Sequence, residues 1–365
     1  MGDVSRFFKA HVKEVEPYNP TGILRVLYKD RSHFARMMGN ESPFPPSPRV
    51  KEAMNSVFSQ LGWYPDSTYF ELREALSKYT GLQTGNIIVA NGSTELIDLI
   101  SRAFIETGDE AILSIPTYSV YRMRLRVAGA SIIDVPKLKP DFKYDVEGVS
   151  SRVNPRTRII VLVRPDNPIG NLIPEDDVVK VLDSGAVVVL DEAYYEFCGK
   201  SLTKLIERYD NLIILRTLSK AFSLAGLRVG YALTNNKIVK YLERARPAFT
   251  VSLLAEKAAV AALGDLAYSR SNIQKIIEGR EFLLRELSKI RGLRVYPSET
   301  NFILVKMENS KLPVGKIMMG LVSRGIIVRD YTDAKGLQGE YLRITVSTVE
   351  DNANFIKGIH ELLEV

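Results

Sequence analysis

The chain has 365 residues, of which 45% are hydrophobic and 25% are charged, a composition that excludes a disordered or fibrous protein. A chain of this length exceeds what one core usually holds, so we expect two domains. The net charge of +6 comes from basic residues scattered among acidic ones. This pattern favours anionic small molecules as partners and argues against nucleic acid.

The sequence indicates neither a membrane segment nor a metal site. No stretch is apolar enough for a transmembrane helix, and the first residues lack the apolar core of a signal peptide. We therefore expect a cytoplasmic protein with no membrane partner. The histidines, His11, His33 and His360, are far apart, and the single cysteine, Cys198, has no catalytic partner beside it. These spacings predict no metal site and a structural role for Cys198.

Residues 1–45 are predicted to form an N-terminal arm. This segment and the residues just after it contain many prolines, among them Pro17, Pro20, Pro43 and Pro45, too many for a regular core element. We expect the arm to wrap over another surface and to contribute to the small domain and to a dimer contact.

Residues 46–250 are predicted to form a large α/β domain. Short β-branched runs alternate with amphipathic stretches, a pattern typical of buried parallel strands joined by crossover helices. The predicted strands are Ile87–Ala90, Ala111–Ile115, Ile159–Val163, Ala186–Leu190, Leu212–Leu215 and Val229–Leu233. After the first strand, the segment from Asn91 to Glu95 places a hydroxyl at the expected N-cap of a helix and Glu95 in its first turn.

Residues 251–365 are predicted to form a smaller α+β domain. A long helical section, Ser252–Leu287, leads into alternating or apolar segments separated by turn residues. In the preceding large domain, ligands should bind where the carboxyl ends of the parallel strands meet the following loops.

Polar residues follow four of the predicted strands. They are Asn167, Asp191, Lys220 and the helix start at Asn91 to Glu95. Singly, each has an ordinary structural explanation, since Asp191 could cap a turn, Lys220 could be an exposed loop lysine, and Asn167 precedes a proline in a common turn dipeptide. Together they bring an amine, a carboxylate, an amide and a helix N-terminus to one edge of the predicted sheet.

The order and spacing of these residues resemble the class I/II aminotransferases of pyridoxal-phosphate fold type I. An Asn-Pro-x-Gly loop is followed by Asp-x-x-Tyr about 24 residues later, by Ser-Lys about 29 further on, and by an arginine eight after the lysine. The resemblance implies a mostly parallel seven-stranded sheet between helices, plus a smaller α+β domain. It also implies pyridoxal 5′-phosphate as the cofactor.

The resemblance assigns roles at the cofactor ring. Lys220 would form the Schiff base and carry a proton between the substrate and the cofactor. Asp191 would keep the pyridine nitrogen protonated, while Tyr194 and Asn167 would donate hydrogen bonds to the ring oxygen. Tyr118 would stack on the ring, although an alternative is that it is simply a core residue.

The resemblance also assigns the phosphate end of the cofactor. Arg228 would pair with the phosphate, which would lie near a helix N-terminus. The other expected cofactor ligands are Asn91, Gly92, Ser93, Thr94, Thr217 and Ser219.

Several segments resemble the histidinol-phosphate aminotransferase family more closely: EPYNPTG, MMGNESPFPPSP, WYPDSTYFELREAL and SKAFSLAGLRVGY. This resemblance implies that Tyr18 and Asn40 lie near the substrate. It implies that Tyr64 reaches the cofactor phosphate of a neighbouring subunit, and hence a homodimer with shared sites. Arg343 would clamp a carboxylate, with Arg329 as a second cation.

The implied reaction exchanges an amino group between histidinol phosphate and 2-oxoglutarate in a ping-pong cycle. Arg329 and Arg343 would then hold the phosphate of one substrate and the carboxylates of the other, beside Asn167. Three positions depart from the family pattern. Ile169 replaces a threonine, Thr94 stands where an aspartate is common, and Ser42 replaces an asparagine.

Three alternatives remain open on the sequence. A threonine-phosphate decarboxylase or a broad aromatic or aspartate aminotransferase would share the cofactor residues. A catalytically silent ligand-binding module is a third alternative, of a different class. The proline-rich arm cannot form the helix-turn-helix domain of such a module, and the retained Lys220 argues for chemistry.

Overall fold

Two β-sheets dominate the computed structural model, which describes residues 4–18, 34–310 and 312–363. Residues 19–33, which include Pro20 and His33, therefore lie outside the described residues. The strands are β1 Ala35–Met37, β2 Ile87–Ala90, β3 Glu110–Ile115, β4 Ser131–Pro136, β5 Thr157–Val163, β6 Val187–Asp191, β7 Leu212–Thr217, β8 Gly230–Thr234, β9 Leu293–Val295, β10 Phe302–Met307, β11 Ile326–Asp330 and β12 Tyr341–Thr345.

Helices cover both faces of the larger sheet. The α-helices are α1 Ala10–Lys13, α2 Pro48–Ser56, α3 Phe70–Thr80, α4 Gly92–Phe104, α5 Ser119–Ala128, α6 Val146–Ser150, α7 Glu175–Leu182, α8 Asn236–Ala245, α9 Leu253–Leu263, α10 Leu266–Leu287, α11 Val314–Val322 and α12 Val349–Leu363. Short 3₁₀ helices occupy Val4–Phe7, Phe58–Gln60, Thr84–Asn86, Tyr195–Phe197, Thr203–Glu207 and Ala225–Leu227.

The larger sheet has seven strands in the order β2-β8-β7-β6-β5-β3-β4. Strands β2, β3, β5, β7 and β8 are buried along their length, apart from Arg158 in β5. Burial on both faces explains their continuous apolar character. All six predicted strands are present, with ends shifted by at most two residues.

Two features of the larger sheet differ from the prediction. Strand β8 runs antiparallel to both of its neighbours, β2 and β7, although it was predicted among parallel strands. Strand β4 was not predicted. It lies at the sheet edge with most residues partly exposed, so it lacks the apolar run that marks the central strands.

The smaller sheet has five strands in the order β1-β11-β12-β10-β9. Its first strand comes from the N-terminal arm, where β1 pairs in parallel with β11. The expectation that the proline-rich arm holds no regular element is therefore wrong for Ala35–Met37, which lies ahead of the cluster of prolines. The sheet's other pairs are antiparallel.

The predicted helical section Ser252–Leu287 is two helices, α9 and α10, with Gly264 and Asp265 between them. Ser252 caps α9, because its side chain accepts a hydrogen bond from the Ala255 amide. Helix α9 packs against α2 and α3, whereas α10 packs against β9 and β10. The break thus separates a helix on the larger part from a helix on the smaller sheet.

The start of α4 also differs from the prediction. The N-cap residue is Asn91, without a side-chain cap, and no hydroxyl occupies that position. Gly92 has φ +79°, a conformation that favours glycine, so the helix begins earlier than predicted. Glu95 reaches back instead, and its Oε2 accepts a hydrogen bond of 2.5 Å from the Asn91 amide.

Across the described ranges, no helix is both long and apolar enough to cross a membrane. Within the same residues, histidine, cysteine and acidic side chains form no group of three or more that could hold a metal ion.

Candidate active site

A cavity of about 240 Å³ lies where the carboxyl ends of the larger sheet face the smaller sheet. It brings together fourteen of the residues predicted from the sequence. They are Tyr18, Asn40, Ser93, Thr94, Tyr118, Asn167, Asp191, Tyr194, Thr217, Ser219, Lys220, Arg228, Arg329 and Arg343. This is the edge at which doubly wound sheets bind ligands.

Lys220 lies in the loop between β7 and β8, and its amine donates a hydrogen bond of 2.9 Å to the Gly39 carbonyl. Burial, followed by the nearby cation Arg343, lowers the pKa of Lys220 to about 8. A much larger fraction of this amine is therefore neutral near pH 7 than for an exposed lysine. A neutral amine is the nucleophilic form that attacks a carbonyl carbon.

Asp191 ends strand β6 and is held by two donors. Tyr121 donates to its Oδ2 at 2.7 Å, and the Ala193 amide donates to its Oδ1 at 2.9 Å. Burial raises the pKa of Asp191, whereas these two hydrogen bonds oppose the rise. Tyr121 was not predicted as a site residue, since in the sequence it reads as one buried position of an amphipathic helix.

The Tyr194 hydroxyl lies between two amide side chains. The Asn40 amide donates to it at 2.8 Å, and the Asn167 amide lies 3.4 Å away. Asn40 is fixed in turn by Thr345 and Asn301. Burial raises the pKa of Tyr194, so the hydroxyl keeps its proton and remains a donor.

Arg228 and two hydroxyls lie together beside the N-terminal end of α4. Thr217 donates to the Ser219 hydroxyl at 2.9 Å, and Arg228 Nη1 lies 3.5 Å from the same oxygen. A Cβ atom at Gly92 would lie only 2.5 Å from Arg228 Nη2. The missing side chain at Gly92 therefore makes room for the guanidinium against the helix start.

Arg329 and Arg343 come from neighbouring strands of the smaller sheet and are paired in register across β11 and β12. Arg343 is buried, and its Nη1 donates to Asn167 Oδ1 at 2.8 Å and to the Tyr331 hydroxyl at 2.9 Å. Its Nη2 donates to the Met38 carbonyl at 2.9 Å. Among the described residues, its buried Nε has no hydrogen-bond partner.

Two tyrosines form one wall of the cavity. The rings of Tyr18 and Tyr118 are 6.1 Å apart in a T-shaped arrangement. Burial raises the pKa of Tyr118, and the nearby Thr94 side chain opposes this rise. Its ring is partly exposed and lines the cavity, which agrees better with a ligand-facing role than with the alternative of a core residue.

Three predicted cofactor residues do not line the cavity. Asn91 is exposed. Gly92 contributes by having no side chain, which leaves room for the Arg228 guanidinium. Tyr64 is 81% exposed and stacks on Phe249 with ring centroids 4.6 Å apart. Its side chain therefore faces outward from its own subunit, as the prediction of a role in a neighbouring site requires.

The sequence reasoning missed seven residues that also line the cavity: Arg36, Met38, Gly39, Glu41, Val163, Ala193 and Tyr331. Tyr331 holds Arg343, and Gly39 accepts from Lys220. Arg36 and Glu41 form an ion pair of 2.9 Å at the cavity rim. The segment RMMGNE carries four of the seven, and its resemblance to the family pattern was the signal that could have found them.

The departures from the family pattern lie at different depths. Ile169 is buried in a small cluster with aromatic side chains of the smaller sheet. Ser42 makes a local turn with Phe44. Cys198 lies outside the cavity lining, and its thiol is 3.3 Å from the Tyr195 carbonyl. Of the three departures, Ile169 and Ser42 lie outside the cavity lining, whereas Thr94 is part of it.

Comparison with known proteins identifies the family. The family model of aminotransferases class I and II matches residues 36–359. Histidinol-phosphate aminotransferases from Thermoanaerobacter pseudethanolicus (42% identical, 90% of this chain and 93% of the relative) and Methanocaldococcus jannaschii (37% identical, 96% of each) are similar along most of their length. The crystal structure of histidinol-phosphate aminotransferase from Sinorhizobium meliloti in complex with pyridoxal-5′-phosphate is similar over 98% of each chain, with 26% identity and a TM-score of 0.86. The chain belongs to the class I and II aminotransferase family.

Proposed function

We propose that this enzyme transfers an amino group between L-histidinol phosphate and 2-oxoglutarate, using pyridoxal phosphate in a ping-pong cycle. The observation that carries the chemistry is the meeting of Lys220, Asp191 and Tyr194 in one cavity. The choice of substrate is supported by the relatives named above, which are 42% and 37% identical over at least 90% of this chain.

The residues present fit pyridoxal phosphate. Arg228, Ser219 and the N-terminal end of α4 form a cradle for a dianion, and the absent side chain of Gly92 leaves it open. Buried Asp191 lies at the other end, where a protonated ring nitrogen would complete its hydrogen bonding. When bound, pyridoxal phosphate supplies an aldehyde that condenses with amines and a ring that withdraws electrons from the substrate's α-carbon.

Lys220 would bind the cofactor covalently and later act as the acid and base. Its depressed pKa leaves the amine partly neutral at neutral pH, so it can accept a proton from the substrate's α-carbon. The Gly39 carbonyl orients the amine at 2.9 Å. Lys220 would thus move a proton between the substrate and the cofactor, and release of the 2-oxo product would also require hydrolysis by a water molecule.

Asp191 and Tyr194 would tune the ring rather than react. Asp191 would keep the ring nitrogen protonated, with Tyr121 and the Ala193 amide fixing the carboxylate. Tyr194, together with Asn167, would donate to the ring oxygen and so favour its ionised form. Tyr118 would contact the face of the ring.

Arg343 and Arg329 would bind the charged groups of both substrates. Arg343 has a buried Nε without a partner among the described residues, so it retains capacity for an anionic ligand. Its planar fork suits a carboxylate or a phosphate. Tyr18, Asn40 and Asn167 would complete the substrate contacts. The phosphate of histidinol phosphate and the carboxylates of 2-oxoglutarate would thus bind to the same two arginines in successive half-reactions.

The enzyme would work as a homodimer with shared sites. Its support is a set of exposed apolar side chains on the side of α8 and the loop after α2: Phe58, Trp63, Tyr64, Tyr241 and Phe249. Exposed aromatic groups of this kind mark interaction surfaces. Tyr64 from one subunit would reach the cofactor phosphate bound to the other subunit. A cytoplasmic location is a separate prediction, made from the sequence.

We further propose an N-terminal arm, a large cofactor domain and a small C-terminal domain. The division was predicted at residues 1–45, 46–250 and 251–365. Because α9 packs on α2 and α3, the packing favours placing the second boundary at the break around Gly264 and Asp265, after Leu263.

A panel of half-reactions tests the proposed function. The purified enzyme with pyridoxal phosphate is mixed with histidinol phosphate, threonine phosphate, tyrosine, aspartate or glutamate, and the change in cofactor absorbance is followed. We expect histidinol phosphate and glutamate to convert the cofactor, and 2-oxoglutarate to restore it. Release of carbon dioxide from threonine phosphate would instead identify a decarboxylase. Conversion of tyrosine or aspartate in preference to histidinol phosphate would identify a broader aminotransferase, and the absence of any conversion a binding module.

A further inference from the structure

A charged cluster lies beside the cavity but does not line it. Lys137 Nζ and Asp166 Oδ2 are 2.5 Å apart, and both side chains have 0% exposure. The Tyr144 hydroxyl lies 2.8 Å from the same carboxylate oxygen, and its ring centroid is 4.6 Å from the ammonium. We call Lys137, Asp166 and Tyr144 the buried clamp.

Packing alone does not account for the charges of the buried clamp. Withdrawing an ammonium and a carboxylate from water costs more than their mutual attraction commonly returns. Apolar side chains of similar volume would fill the same space without that cost. Because the groups reach from one loop to another, their hydrogen bonds suggest a positional role.

The ammonium of Lys137 connects two loops that carry site residues. Lys137 directly follows β4, and besides Asp166 it donates to the Pro116 carbonyl at 2.6 Å. Pro116 follows β3 and stands two residues before Tyr118. Asp166 follows β5 and stands one residue before Asn167. Since β3 lies between β4 and β5 in the sheet, one ammonium spans the carboxyl ends of three adjacent strands.

Asp166 also shapes the Asn167 loop itself. Its Oδ1 accepts from the Ile169 amide at 3.2 Å, and its backbone carbonyl accepts from the Gly170 amide at 3.0 Å. Its own amide donates to the Asn171 carbonyl at 2.8 Å. The loop that carries Asn167 is therefore organised around Asp166, whose carboxylate is in turn held by Lys137.

Asn167 contacts one residue at the cofactor end of the site and one at the substrate end, so its position affects both. Its amide lies 3.4 Å from the Tyr194 hydroxyl, and its Oδ1 accepts from Arg343 at 2.8 Å. A shift of Asn167 would alter the donor at the cofactor's ring oxygen and the orientation of the guanidinium that binds substrate anions.

We propose that Lys137 and Asp166 are positioning residues that hold Asn167 and Tyr118 in place relative to each other. The inference rests on the proposed function, because its effects are measured at the cofactor and at the substrate anion. Neither residue touches the reacting atoms.

The test uses a double variant, Lys137→Met with Asp166→Asn, which removes both charges and keeps similar volumes. The first measurement is the pH titration of cofactor absorbance in the loaded enzyme without substrate. We expect its midpoint to rise, because a displaced Asn167 donates less well to the ring oxygen. The second is KM for 2-oxoglutarate, which we expect to rise about tenfold with a smaller change in kcat, the scale of one lost hydrogen bond to a charged group.

Leu287→Ala is the matched control. Leu287 is fully buried in α10 and lies outside the cavity lining, so its truncation should lower the midpoint of thermal unfolding. We expect the absorbance titration and KM of this control to match those of the unaltered enzyme. If the control moves both measurements as the double variant does, the effect is one of stability and the positioning role is overturned.

Tyr144→Phe gives a milder second variant that carries the test if the double variant does not fold. Loss of its hydroxyl should move both measurements in the same direction by a smaller factor. Unaltered values in every variant that folds would overturn the inference. Failure of the proposed function is distinguishable, because then the unaltered enzyme itself would give no half-reaction with histidinol phosphate.

Discussion

The two sheets supply the cavity in different ways. The larger sheet presents Asp191, Thr217 and Lys220 from the ends of adjacent strands or the loops that follow them. The smaller sheet presents Arg329 and Arg343 from within its strands. We call the cavity residues of the larger sheet the cofactor half of the site and those of the smaller sheet the substrate half. Each half is therefore held by its own hydrogen-bonded sheet. The two sheets are connected by contacts such as the hydrogen bond from Arg343 to Asn167.

This difference separates two kinds of variant. Changes on the larger sheet should act on cofactor binding and on kcat, because under the proposed function those groups would hold or move a proton at the cofactor. Changes on the smaller sheet should act on KM for anionic substrates, because under the proposed function its arginines would bind charge without taking part in proton transfer. Four variants or measurements test whether the two halves are separable in this way.

Lys220→Ala should have the largest effect. The variant loses both the covalent attachment of the cofactor and the acid/base group, so we expect kcat to fall by about 10⁴-fold or more, the upper range of general acid–base contributions. Steady-state transamination measures the loss. Lys180→Ala, which removes an exposed lysine of α7, should keep full activity. Normal turnover by the Lys220→Ala enzyme would contradict the assignment of the catalytic lysine.

The reactivity of the Lys220 amine in the cofactor-free enzyme should follow its lowered pKa. A pKa of about 8, against an ordinary value of 10.5, makes the neutral fraction at pH 7 roughly 300-fold larger. Because only the neutral amine reacts, the rate of modification by an amine-directed reagent should rise with pH and level off above about pH 8. The Lys220→Ala enzyme gives the background from other lysines. A rate that still rises steeply at pH 10 would contradict the depressed pKa.

Arg343→Lys and Arg228→Lys form a matched pair, one for each half of the site. We expect Arg343→Lys to raise KM for 2-oxoglutarate roughly 10- to 100-fold, since lysine lacks the planar fork and loses charged hydrogen bonds. Cofactor affinity should change little. Arg228→Lys should weaken pyridoxal phosphate binding instead, as measured by cofactor titration. If both variants alter both quantities equally, the two halves are not separable.

Tyr121→Phe should have the smallest effect. The Tyr121 hydroxyl lowers the pKa of Asp191, against the rise caused by burial, so its removal should raise that pKa further. Asp191 would then be protonated at higher pH, and the acid limb of the kcat profile should shift upward, with activity near pH 7 lower by about fivefold. Tyr209→Phe, which removes a hydroxyl bonded to Asp183 outside the cavity, should leave the profile unchanged.

Much of the cofactor half could be predicted from the sequence. Its residues follow short buried strands, and parallel strands bring their carboxyl ends to one edge. The direction of β8 could not be predicted, because an apolar run has no sign that distinguishes its two directions. Strand β4 was missed since an edge strand is partly exposed, and its pattern is weaker than that of a buried strand.

The groups that hold the site residues were mostly missed. Tyr121 meets Asp191 across 70 positions, and Lys137 meets Asp166 across 29. In the sequence each is a single polar or aromatic residue without a local motif, and only the folded sheet shows its partner. The family resemblance found most of the groups that line the cavity. It could not find the groups that orient them.

With Arg329 and Arg343 in the proposed role of binding substrate anions, their facing positions also limit which substrates the enzyme can accept. Residues directly opposite on antiparallel strands have Cβ atoms about 4.5–5.5 Å apart, so the backbone sets the distance between the two side-chain bases. A slip of one residue in the pairing of β11 with β12 would turn one arginine to the other face of the sheet. The spacing of the two Cβ atoms therefore cannot be changed in small steps. Selectivity for a longer or shorter anion has to arise from the side chains around Arg329 and Arg343.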